Sequence, residues 1–100
     1  MALTVLSNGL LFDGHSPNLQ DRTHVVIEGD RIREVSQGAV PKCDRVIDLG
    51  GRVLMPGLID AHVHLIATTA DLSAIGNDPA SLTAMRAGKI AEGMLRRGFT

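Results

Sequence analysis

Aromatic side chains are almost missing from this 100-residue chain: there is no Trp, no Tyr, and only Phe12 and Phe99. A core must therefore be assembled from Leu, Val, Ile, Met and Ala. Cys43 is the single cysteine, which excludes an internal disulfide and any Cys-rich zinc module, and mildly favours a reducing compartment. No apolar run approaches the 18 residues of a membrane span, and Asn8 and Gly9 interrupt the only apolar stretch near the N-terminus. A secretory signal is not expected, and a soluble, cytoplasmic protein is. An excess of one charge is also missing. The formal net charge is −1 and the ten basic residues are scattered, unlike the basic stripe of a nucleic-acid binder.

What is present begins with short β-like segments. Thr4 to Leu6 and Leu10 to Phe12 flank Ser7-Asn8-Gly9, and Asp13-Gly14 with Ser16-Pro17-Asn18 supplies another turn signal. Val25 to Glu28 and Arg31 to Val35 lie on either side of Gly29-Asp30, the pattern of a tight hairpin. Arg45 to Leu49 and Arg52 to Met55 repeat that pattern around Gly50-Gly51. Several short strands with glycine turns predict a small β-sandwich or open barrel over residues 1–56.

The pattern changes at Pro56-Gly57. Leu58-Ile59-Asp60-Ala61-His62-Val63-His64-Leu65 is apolar throughout apart from Asp60, His62 and His64, as in strands buried on both faces of a parallel sheet. A loop is expected from about Ile66 to Asn77. Asp78-Pro79 then predicts a helix start, with Asp78 as the cap. Ala84, Ala87, Gly88, Ala91, Met94 and Leu95 recur at helical spacing and predict a core-facing stripe of mostly small residues. Met85 and Met94 are expected in the core, Arg96 and Arg97 at the negative end of the helix, and Gly98 in the terminating left-handed position. Phe99-Thr100 begins a further apolar segment. Residues 57–100 thus read as the first strand and helix of an incomplete α/β barrel, and the chain is expected to be part of a longer one. One β/α unit leaves most of its apolar surface without partners, so residues 58 to 100 are not expected to be stable alone.

Asp60, His62 and His64 carry the chemistry. In a strand alternate side chains share one face, so both imidazoles can reach one divalent ion at about 2.0–2.1 Å. Asp60 has the same parity. It either orients an imidazole from outside the ligand set or is a structural carboxylate bonded to backbone. His15 and His24 lack partners at ligand spacing and are expected on the surface. Cys43 has no neighbouring base or cysteine and is not expected to be a nucleophile. Thr68, Thr69 and Asp71 either touch substrate or cap the local turn, the latter being the expected use.

Pro56-Gly57-Leu58-Ile59-Asp60-Ala61-His62-Val63-His64 resembles the signature that opens the barrel in the metal-dependent amidohydrolase superfamily. Asn8 to Gly14 and Ile27 to Ile32 are similar to the small β domain preceding that barrel. Met94 to Thr100 and the His-x-His motif look most like the branch of prolidase-like dipeptidases and carboxypeptidases, which includes ochratoxin-hydrolysing amidohydrolases.

The resemblance implies a (β/α)₈ TIM barrel, of which only the first β/α unit is present, behind a small β-sandwich domain. It implies that His62 and His64 bind the more buried of one or two divalent ions, usually zinc. The remaining ligands and the catalytic base would come from later strands, so no catalytic residue is assigned within this chain. The implied activity of the intact protein is hydrolysis of amide bonds in dipeptide-like or N-acyl amino acid substrates by metal-activated water. The isolated chain is expected to be inactive. A mononuclear deaminase or a cyclic-amide hydrolase of the imidazolone or hydantoin type uses the same His-x-His start and remains an alternative. So does a non-enzymatic β interaction module with structural histidines. Expected partners are a small molecule or dipeptide-like substrate, with neither nucleic acid nor membrane; a homo-oligomer of the full-length protein is left open.

Overall fold

A computed structural model describes residues 2–100, which form two compact units that divide between Pro56 and Gly57. The first unit holds β1 (Leu3–Leu11), β2 (Gln20–Glu28), β3 (Arg31–Gln37), β4 (Arg45–Asp48) and β5 (Val53–Leu54). They make one mixed sheet in the order β3-β2-β1-β4, with β5 also paired to β1. The expected hairpin is present: β2 and β3 pair antiparallel across Gly29-Asp30, and Gly29 has the positive φ of 62° that such a turn requires.

Two expected turns are resolved differently. Ser7-Asn8-Gly9 does not reverse the chain but forms an irregularity inside the continuous strand β1, where the register against β2 slips between Leu6 and Gly9. Asn8 takes φ 58°, a conformation Asn tolerates better than most residues, and its side-chain amide donates to Asp48 Oδ1 at 2.7 Å. Gly50-Gly51 likewise joins no hairpin. Since β2 occupies one edge of β1, β4 and β5 both run parallel to β1 along the other, one before the irregularity and one after it. Backbone bonds from Leu49 N to Ser7 O, Gly51 N to Asn8 O and Leu10 N to Arg52 O carry the pairing across the break.

Val5 and Val26, paired across β1 and β2, are the most completely buried large side chains, joined by Val25 and Leu11. Among the described residues this unit is a single sheet, and the second layer of the expected sandwich is not among them. A sheet with one layer leaves apolar positions uncovered. Ile32, Val35, Val46 and Val53 are accordingly exposed. His24 corrects a sequence expectation: it is buried, only 4% exposed, because its β2 position lies opposite Ser36 of β3, whose hydroxyl lies 3.1 Å from His24 Nε2. His15 is exposed, as expected.

The second unit contains α1 (Leu72–Asn77) and α2 (Ala80–Arg96). The strand expected over Leu58–Leu65 does not form; only Leu58 makes a bridge, parallel to Phe99. Leu58 N donates to Gly98 O at 2.8 Å and Thr100 N to Leu58 O at 2.9 Å. A parallel strand exists only as far as a neighbour supplies bonds, and the residues after Ile59 have no such neighbour among the described residues.

α1 lies where a loop was expected. Asp71 caps it, accepting from Ser73 N and Ala74 N, so Asp71 serves locally as anticipated. Asp78 closes α1 rather than capping α2, and its carboxylate takes an ion pair from Arg86. Pro79 then precedes the first helical residue, and its carbonyl accepts from Leu82 N and Thr83 N.

The inner face of α2 runs through Thr83 and Ala87, with Ile90, Ala91 and Met94 half-buried. Ala84, Gly88 and Leu95 lie outside that stripe, and Met85 is exposed rather than in the core. Gly98 at φ 94° ends the helix with bonds from Phe99 N to Met94 O and Gly98 N to Leu95 O, the paired pattern of a glycine-terminated helix. Arg96 bonds Glu92 one turn back. No helix among the described residues is long and apolar enough to cross a membrane.

Candidate functional site

Beyond Ile59 the backbone of the second unit bends instead of extending. The cause is local. Asp60 Oδ1 accepts from His62 N at 3.1 Å, a side-chain bond that turns the backbone. Ala67 N donates to His64 O at 3.1 Å and turns the chain again. Between the two bends His62 and His64 face each other with ring centroids 4.7 Å apart and planes inclined by 44°.

Their Nε2 atoms are 2.7 Å apart. Such a contact pairs one Nε2–H with one Nε2 lone pair. Both rings are exposed. Two nitrogens held about 2.0–2.1 Å from one tetrahedral ion lie roughly 3.4 Å apart. The observed pair needs to open by less than an ångström to offer both lone pairs outward. The donor set therefore fits half of a zinc-like site. No group of three or more His, Cys, Asp or Glu side chains that could hold an ion occurs among the described residues, whereas a catalytic zinc typically takes three protein ligands.

Asp60 also lines a cavity of about 270 Å³ with Val63, Leu65, Met94, Leu95 and Phe99. Its remaining walls are almost wholly apolar, so this space is the gap between the bent segment and α2 and not a polar binding pocket. A larger open groove of about 1040 Å³ lies in the first unit, bordered by Asn8, Asp21, Arg22, Thr23, His24 and Gln37. Its polar side chains largely satisfy one another: His24 pairs with Ser36, and Gln37 donates to Asp21 O and Thr23 Oγ1. The chemically suited residues, His62 and His64, are in neither space.

Elsewhere, Thr69 Oγ1 accepts from Asp71 N, and Asp71 is held below the ordinary carboxylate range by the Ser73 hydroxyl and the Ala74 amide. Cys43 is half-buried. Asp71 thus acts as the expected local cap, but of a helix, α1, where a loop is expected from the sequence.

Residues 45–98 match the model of the Amidohydrolase family. Among solved structures, a prolidase complexed with N-methylphosphonate-L-proline superposes with a TM-score of 0.90 at 41% identity, over 98% of this chain and 24% of that one. A Xaa-Pro dipeptidase with methionine bound in its active site superposes with a TM-score of 0.81 at 29% identity, over 99% of this chain and 25% of that one. The imidazolonepropionase of Arthrobacter sp. (strain FB24) is 51% identical over 43 residues, which are 42% of this chain and 11% of that protein. The chain thus spans a quarter or less of each of these relatives.

Proposed function

Because this chain belongs to the Amidohydrolase family, we propose that it supplies the first two metal ligands, His62 and His64, of a hydrolase that cleaves amide bonds in dipeptide-like or N-acyl amino acid substrates. The observation that carries the reading is the 2.7 Å approach of the two Nε2 atoms, which brings two imidazole nitrogens to within an ångström of the separation that a shared ion needs. Likeness to a prolidase and to a Xaa-Pro dipeptidase favours the dipeptide-like substrate class.

On this reading residues 1–56 are the N-terminal part of a small β-sandwich domain, and residues 57–100 open a (β/α)₈ barrel. The family relationship and the superposed relatives support that assignment. Zinc, as one ion or a pair, is the expected metal; when bound it would supply the Lewis acidity that lowers the pKa of water toward about 7. His62 and His64 would hold the ion through their imidazole nitrogens. General acid and base chemistry falls to residues outside this chain, so the 100 residues alone are expected to have no turnover. The single cysteine, Cys43, favours a reducing, cytoplasmic setting.

The test is made in the intact protein. His62→Ala and His64→Ala are each expected to lower metal content and to abolish hydrolysis of Xaa-Pro dipeptides and N-acyl amino acids. Retention of full metal content and turnover by both variants would leave the histidines structural and favour a non-enzymatic module. A second reading, hydrolysis of a cyclic amide, has the likeness to imidazolonepropionase in its favour. Turnover of imidazolones or hydantoins with none of the dipeptides would select it.

A further inference from the structure

Resting on the metal-ligand reading of His62 and His64, we infer that Asp60 is a positioning residue that acts through the backbone of His62 and not through either imidazole or through its charge. Two features of the segment lead there. Asp60 Oδ1 accepts from the main-chain N–H of His62 at 3.1 Å, two residues along. The imidazole nitrogens that approach one another are both Nε2, and the bond between them leaves the aspartate out.

The segment from Asp60 to His64 is therefore shaped by its own side chain. An extended strand would project residues 62 and 64 in parallel from one face. Here the turn closed by Asp60 tips the His62 backbone so that the two rings converge, at 4.7 Å between centroids and 44° between planes. Losing that turn leaves the His62 amide free to bond water, so the cost falls on the preorganisation of the ligand pair more than on the fold. Bonds that orient metal ligands from outside the coordination sphere are worth about 10–100-fold in metal affinity.

The geometry separates turn from charge, because the side chains of Asp and Asn both close a turn onto the amide two residues on, whereas Glu adds a methylene that fits this turn poorly. In the intact protein, Zn(II) affinity is measured by competition with a chromophoric chelator for wild type, Asp60→Asn, Asp60→Glu and Asp60→Ala, with thermal melting of each. His62→Ala and His64→Ala serve as references. The expected order is wild type close to Asp60→Asn, with Asp60→Glu and Asp60→Ala weaker by about tenfold or more. Equal affinity in all four overturns the inference. So does retention by Asp60→Glu with loss in Asp60→Asn, which would make the carboxylate's charge the active property. Unchanged affinity in the two histidine variants would instead remove the metal reading, and the positioning role with it. A loss that follows melting temperature across the set assigns Asp60 to the fold alone and overturns it also.

Discussion

Gly9→Ala is expected to destabilise the β unit by about 1–3 kcal/mol, through sterics and not through backbone conformation. Gly9 does not have a positive φ, so alanine is compatible with its backbone. On that ground alone the substitution would stabilise by about 0.4–1 kcal/mol, by reducing the freedom of the unfolded chain. The surroundings reverse the sign. A Cβ built on Gly9 would stand 2.6 Å from Arg52 O and 2.7 Å from Leu49 Cδ1. Arg52 O cannot withdraw, since it accepts from Leu10 N at 3.0 Å, and Leu49 is tied through its own N to Ser7 O at 2.8 Å. Relief means breaking pairing where the chain passes from β4 to β5. Urea denaturation of the intact protein, followed by circular dichroism, gives the free-energy change from the shift in midpoint at constant slope. A neutral or stabilising result would show that β1 does not carry the β4–β5 passage at this distance.

Val5→Ala should cost about 2–3 kcal/mol in the same assay, the loss of two buried methyl groups plus an unfilled space, whereas Val46→Ala on the exposed end of the same face should stay within about 0.5 kcal/mol. Ser36→Ala should cost about 1–3 kcal/mol, because it takes the hydroxyl from the ring nitrogen of buried His24; replacing both residues by apolar ones of similar shape should recover part of that. Asp48 is held below the ordinary aspartate value of 3.8, chiefly by the Gly50 amide and then by the Asn8 side chain. A carboxylate with a depressed folded pKa contributes stability fully above its unfolded value and loses it as pH falls through the folded one. Acid titration of stability should therefore be shallower below about pH 4 in Asp48→Asn, and also in Asp13→Asn, where the Ser16 and His15 amides act in the same way.

The elements legible in the sequence were those closed by local chemistry. Gly29-Asp30 between two apolar runs fixed the β2–β3 hairpin, and Gly98 after a helical pattern fixed the end of α2. What misled was non-local. Ser7-Asn8-Gly9 has turn composition, yet β2 on one side and β4 with β5 on the other hold it as a break within a strand. Gly50-Gly51 has hairpin composition, but β1 offers a free edge that both flanking strands can share. Leu58–Leu65 has strand composition, yet beyond Ile59 it is shaped by Asp60 and the carbonyl of His64. His24 and Met85 show the same limit at single positions: burial depends on what lies opposite, as Ser36 does for His24, and Met85 falls outside the stripe of α2 that meets anything. For the candidate site, the pairing of His62 with His64 could be anticipated from their spacing. The agent of their convergence, a bent backbone rather than strand alternation, could not.

The shared edge of β1 also sets an order of events during synthesis. β1, β2 and β3 can pair as soon as residue 37 has emerged, by two antiparallel contacts between neighbours in sequence. The outer edge of β1 must wait for β4 and β5; the bond from Leu3 N to Asp44 spans 41 positions. Until then a row of unpaired peptide groups from Thr4 to Leu11 is available to any other strand in reach. Pairings of such separation close slowly. The nascent chain is consequently most prone to cross-pairing with its neighbours on a polysome in the interval between β3 and β5, and Gly9, by letting the late-arriving segment approach closely, determines how completely that edge is sealed.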